Sequence, residues 1–75
     1  MLTQLYFPDK PEPLTMDISP VHVGDTVSFS NSAAKRLLTK EDAGVTFTVT
    51  KRECRIGEKR GGEISDSQIV VLCRP

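Results

Sequence analysis

The chain has 75 residues, with ten basic and ten acidic side chains, one histidine and two cysteines. That length holds one small domain with a thin core, burying roughly 60–65% of its unfolded surface, and a formal charge of zero supplies no bulk field toward a polyanion or a membrane surface. Two cysteines are too few for a disulfide scaffold, the first residues lack the basic start and apolar run of a signal peptide, and no apolar stretch approaches the ~20 residues of a membrane span, so a protein of a reducing cytoplasm is expected.

Met1 to Phe7 gathers Leu2, Leu5, Tyr6 and Phe7, too apolar for a free tail. It reads as an edge strand or as an arm that packs on the barrel or on a neighbour, which makes Tyr6 and Phe7 candidate partner contacts. Pro8, Pro11 and Pro13 fix φ and withhold donors, so 8–13 is an extended loop and 14–75 holds the barrel proper. From Leu14 the apolar residues fall on even numbers (Leu14, Met16, Ile18). Ser19-Pro20 then resets the phase, and an odd series begins at Val21, so Pro20 marks a bend between strands.

Val21 to Phe29 alternates apolar and polar residues, predicting a strand coiled around a bulge or tight turn at Gly24-Asp25. Behind the caps Ser30-Asn31-Ser32, residues Ala33, Ala34, Leu37 and Leu38 sit at helical spacing, with Ser32 as the N-cap. Thr39 to Asp42 repeats a capping spacing and Gly44 suits a left-handed helix end, so 32–43 is a helical insertion between two strands.

Val45 to Thr50 is the clearest strand, with Val45, Phe47 and Val49 inward and three threonines outward. The apolar parity slips afterwards, at Cys54 and Ile56, which calls for a bulge near Lys51 or Arg52. The glycine-rich 57–62 closes a hairpin, Ile64 to Gln68 reads as a tight helical turn capped by Ser65, and Ile69 to Cys73 is apolar enough for a strand covered on both faces. The fold class that follows is mainly β with a small α+β character: a partly open barrel of about five short strands with one short helical insertion.

The order of Val23-Gly24-Asp25-Thr26-Val27, the strand from Val45, a hairpin, a one-turn helix at Ser65 to Gln68 and a last strand at Ile69 to Leu72 resembles SH3-like small barrels. The resemblance covers residues 21–73. It departs from the pattern in the helical insertion and in the scarcity of the aromatic residues that line such grooves. It implies a binding module for proteins or nucleic acids.

No constellation for catalysis stands out. His22 falls on the outward parity of its segment, and Cys54 and Cys73 have no third or fourth ligand within motif spacing, so both read as packing thiols and neither metal nor cofactor is expected. No nucleophile elbow, phosphate cradle or dinucleotide fingerprint occurs, and a non-enzymatic chain is expected. What remains is a basic group, Lys51, Arg52, Arg55, Lys59 and Arg60, on a strand and its hairpin, with Arg74 joining it if the last strand pairs nearby. Lys51, Glu53 and Arg55 share one face and Arg52 lies on the other. Interspersed Glu53, Glu58 and Glu63 favour a protein partner over nucleic acid, which is the alternative; a homo-oligomeric structural subunit is the third reading. From its size, an accessory or regulatory protein of bacterial or phage type is expected.

Overall fold

A computed structural model of the chain describes the backbone of residues 1–75 and every side chain except that of Lys40. It is mostly β, a strongly curled half-barrel made from one five-stranded sheet. The strands are β1 (Leu2–Tyr6), β2 (Leu14–Asp17), β3 (Thr26–Ser28), β4 (Thr46–Glu58) and β5 (Ile64–Cys73), and they lie in the order β2-β1-β5-β4-β3. One helix, α1 (Asn31–Leu37), and a 3-10 turn at Lys40–Asp42 sit between β3 and β4. The expected helical insertion and small mixed fold are therefore present.

β5 is central, as its continuous apolar run requires: β1 pairs with it in parallel and β4 antiparallel. On the concave face Leu5, Phe7, Phe29, Phe47, Val49, Val70 and Leu72 form the core, closed by Ala34 of α1 and by partly buried residues of β2 and the 18–27 segment. Three phenylalanines meet edge to face or tilted, Phe7 to Phe47 at 5.2 Å, Phe7 to Phe29 at 6.1 Å and Phe29 to Phe47 at 6.4 Å between centroids. Such geometry adds roughly 0.5–1.5 kcal/mol per pair to plain area burial. The opposite, convex face carries Thr46 and Thr48 with Gln4, Tyr6, Ile69 and Val71.

Several local expectations change. The first seven residues are no edge arm: β1 lies inside the sheet between β2 and β5, and the proline-rich loop merely turns β1 into β2. The strand expected over Val21 to Phe29 shrinks to Thr26–Ser28, because His22 to Asp25 folds into a turn. In it the Asp25 N–H donates to the His22 carbonyl at 3.0 Å, the His22 N–H donates to Asp25 Oδ2 at 2.8 Å, and Gly24 takes φ of 96°. Val23 is 63% exposed as a consequence, while Val21 and Val27 are half-buried and Phe29 is buried. Ser30 rather than Ser32 caps α1, its hydroxyl accepting the Ala33 N–H at 3.2 Å, which starts the helix where Ala34 points into the core.

The bulge falls between Val49 and Lys51, at the near side of the predicted place, and lets β4 run on to Glu58. The largest correction is at Ile64 to Gln68, which is strand instead of a helical turn. Its backbone pairs with Cys54 to Glu58, and a completed ladder outweighs the local capping preference of Ser65, Asp66 and Ser67. Cys73 is exposed on the outward parity next to buried Leu72, so it is not a core thiol, and Cys54 is exposed as well.

Candidate protein-binding ribbon

β4 and β5 continue together beyond the body of the sheet. β3 covers β4 only from Thr46 to Thr48, and β1 meets β5 only from Ser67 onward, while the β4–β5 ladder extends to Glu58 opposite Ile64. A strand of 13 residues spans roughly 43 Å at ~3.3 Å per residue, which accounts for the long axis of a molecule measuring 44 × 25 × 22 Å. Residues 51–66 thus form a ribbon whose root, 51–55, still lies in the sheet opposite the part of β5 that β1 covers, and whose outer part, 56–66, projects as two strands alone, turned at its tip by Gly61 and Gly62 with φ of 91° and 82°.

The base of the ribbon is held by Gln68, which is fully buried with all its hydrogen-bonding capacity used. Its Nε2 donates to Thr3 Oγ1 at 2.9 Å and to the Ser19 carbonyl at 3.2 Å, and its Oε1 accepts from Arg52 Nε at 3.1 Å and from the Val21 N–H at 3.3 Å. Arg52 is accordingly part of the scaffold, on the concave side, and is withdrawn from the basic group. At the far end of the barrel a second polar cluster gathers around Asp42, which is 2% exposed. Arg74 donates to it at 2.7 Å and to Asp9 at 2.8 Å, Thr39 Oγ1 donates at 2.8 Å, and Lys10 lies at 3.5 Å. The Arg74 guanidinium, 5.3 Å from the Phe47 ring, holds Asp42 down from 3.8 to about 2 and also lowers Asp9, while the two carboxylates raise Arg74. Arg74 therefore does not join the ribbon.

Of the residues singled out from sequence, Lys51 and Arg55 are exposed on the convex face of the ribbon with Glu53, whose carboxylate lies 3.7 Å from Arg55, and Lys59 and Arg60 are exposed at the tip. Tyr6 is exposed on the convex face beside the ribbon's root, opposite Val71. Phe7 is 5% exposed in the core and cannot touch a partner, because the parity of β1 turns it to the concave side.

The residues that sequence reasoning passed over are Ile56 and Ile64. The register sets Ile56 opposite Asp66 and Glu58 opposite Ile64, so the isoleucines are diagonal neighbours on one face of the ribbon, 74% and 65% exposed. Diagonal partners lie ~7–8 Å apart, within reach of side chains of that length. The signal was present in the even parity of Cys54 and Ile56, but reading Ile64 as part of a helical turn hid its companion. Ladder hydrogen bonds tie the two strands together, yet nothing among the described residues covers that face. Among the described residues no cluster of metal-ligating side chains occurs and no helix is long and apolar enough to cross a membrane.

Comparison of the chain with protein-family models, curated proteins and solved structures gives no match.

Proposed function

We propose that this chain is a non-enzymatic binding module, built on a barrel of SH3-like type, that docks a protein partner against the ribbon of residues 51–66. The observation that carries the reading is the pair Ile56 and Ile64, side by side and exposed on a ribbon that projects clear of the core. An isoleucine in water forgoes about 1.5–3 kcal/mol relative to burial, and this pair contributes nothing to the chain's own core. Around it the ribbon presents four basic residues (Lys51, Arg55, Lys59, Arg60) against four acidic ones (Glu53, Glu58, Glu63, Asp66) and no aromatic ring. That mixture suits a protein surface with charges of both signs and supplies neither the positive field nor the stacking platform of a nucleic-acid groove.

The test is capture on immobilised chain with and without nuclease, comparing the wild type with Ile64→Ser. A protein retained after nuclease treatment and at raised salt, and lost with Ile64→Ser, supports the reading. Retention that disappears with nuclease, or falls steeply with salt, transfers the function to the tip residues Lys59 and Arg60 and to nucleic acid.

A further inference from the structure

The ribbon has an edge as well as a face. β3 and then the 22–25 turn protect β4 as far as Val49, whose carbonyl accepts the Gly24 N–H at 2.9 Å and whose N–H donates to the Asp25 carbonyl at 2.8 Å. From Lys51 to Glu58 the outer side of β4 makes no backbone hydrogen bond among the described residues. No proline or bulge blunts that run, since the register shift lies before Lys51. An unpaired strand of this kind is a template for another strand.

We infer that this edge pairs with the same edge of a second copy of the chain, antiparallel about a twofold axis at Ile56. The inference rests on the ribbon being the working surface and names what occupies its edge.

Twofold pairing sets every residue against a fixed counterpart on the same face of the joined sheet, so the sequence itself selects the register. An axis at Arg52, Glu53, Arg55 or Glu58 puts that charge against its own copy. An axis at Gly57 sets Arg55 against Lys59. An axis at Cys54 brings Lys59 of the second copy against Val49, where the Gly24–Asp25 turn already fills the edge. An axis at Ile56 leaves that turn clear and sets no charge against its own copy: Ile56 meets Ile56, Arg55 meets Gly57, Cys54 meets Glu58, and Glu53 meets Lys59 twice by symmetry, while of the next pair Arg52 is turned onto Gln68 Oε1 at 3.1 Å and Arg60 stands in the tip turn beyond the end of β4. The most exposed large apolar side chain of the molecule is then covered. Ile64, one strand away on the same face, joins it, and two copies gather four isoleucines on one four-stranded platform that stays open for a partner.

Sedimentation equilibrium of the full chain across a concentration series tests this without any partner present. The expected result is a concentration-dependent dimer. Ile56→Lys is expected to stay monomeric with an unchanged melting curve, since Ile56 supports nothing in its own fold. Glu53→Lys is expected to weaken association about tenfold or more, and Glu53→Lys with Lys59→Glu to restore it. For the register, Ile56→Cys in a Cys54→Ser, Cys73→Ser background is expected to give an oxidised covalent dimer, because directly opposed Cβ atoms lie about 5 Å apart, whereas Arg55→Cys in that background is not. A chain that stays monomeric throughout, a dimer that survives Ile56→Lys, or crosslinking at position 55 instead of 56 overturns the inference. A monomer that still captures its protein through Ile64 leaves the face reading standing, and a dimer whose Ile64→Ser variant captures like wild type removes the face reading alone.

Discussion

Arg52 Nε meets Gln68 Oε1 at 3.1 Å where the ribbon leaves the body of the sheet. Beyond the Arg55–Ser67 rung, the last that β1 covers, the strands bear only on each other; inward of the Arg52–Gln68 contact they bear on the core. Gln68→Leu is expected to strand the Val21 N–H, the Ser19 carbonyl and the Arg52 guanidinium, at about 1–3 kcal/mol. In a chain this small that amounts to several degrees in melting temperature. Arg52→Ala should cost less, because Arg52 already reaches solvent. Thermal melts of both variants check the order.

Asp42 and Arg74 predict an acid limb. Asp42 titrates at about 2 in the fold and near 3.8 when unfolded, so the unfolded chain takes up the proton first as pH falls. The stability due to this group is complete above pH about 4 and is lost progressively toward pH 2. Asp42→Asn should flatten that limb and lower stability at neutral pH by about 1–3 kcal/mol, leaving Arg74 with Asp9 alone. Urea midpoints across the acid range read both effects.

Two glycines should respond with opposite signs. Gly44 has φ of 75° with open space where a Cβ would stand, so Gly44→Ala should cost about 1–2 kcal/mol from backbone conformation alone. Gly57 has ordinary φ and only Ser65 Oγ at 3.7 Å near its Cβ position, so Gly57→Ala should stabilise by about 0.4–1 kcal/mol through the unfolded chain. Equilibrium denaturation separates the two.

The exposed charges of the ribbon should be dispensable to folding. Replacing Arg55, Lys59 and Arg60 together by Ala should shift stability by no more than about 0.5 kcal/mol per site, since the ion pair of Arg55 with Glu53 is solvent-exposed at 3.7 Å. A large loss of stability on thermal unfolding would show that the tip is braced by contacts beyond its own ladder.

Much of the frame could be read from residue order. The alternation through Val45, Phe47 and Val49, the parity slip after it, the break at Pro20 and the left-handed Gly44 all describe the fold seen. What escaped reading has a common cause, competition between local preference and a distant partner strand. Ser65-Asp66-Ser67 looks like a cap until Arg55 to Gly57 supplies its ladder, and Val21 to Val23 looks like a strand until Asp25 closes a turn over His22. The site was half legible. Lys51, Arg55, Lys59 and Arg60 lie where their spacing put them, but Phe7 and Arg52 went to the core and its polar brace, and the Ile56–Ile64 pair depends on a register that no single segment encodes.

The parallel pairing of β1 with β5 has a consequence for biosynthesis. β5 is the strand between the two halves of the sheet, and it follows every one of its neighbours along the chain. A ribosome therefore releases the outer pieces before the piece that joins them, and until then Leu5, Phe47 and Val49 have no Val70 or Leu72 to lie beside. Folding dominated by such distant pairing belongs to the millisecond-to-second range, long enough for a chaperone to hold the nascent chain and for the bare flanks of β1 and β4 to meet the wrong strand.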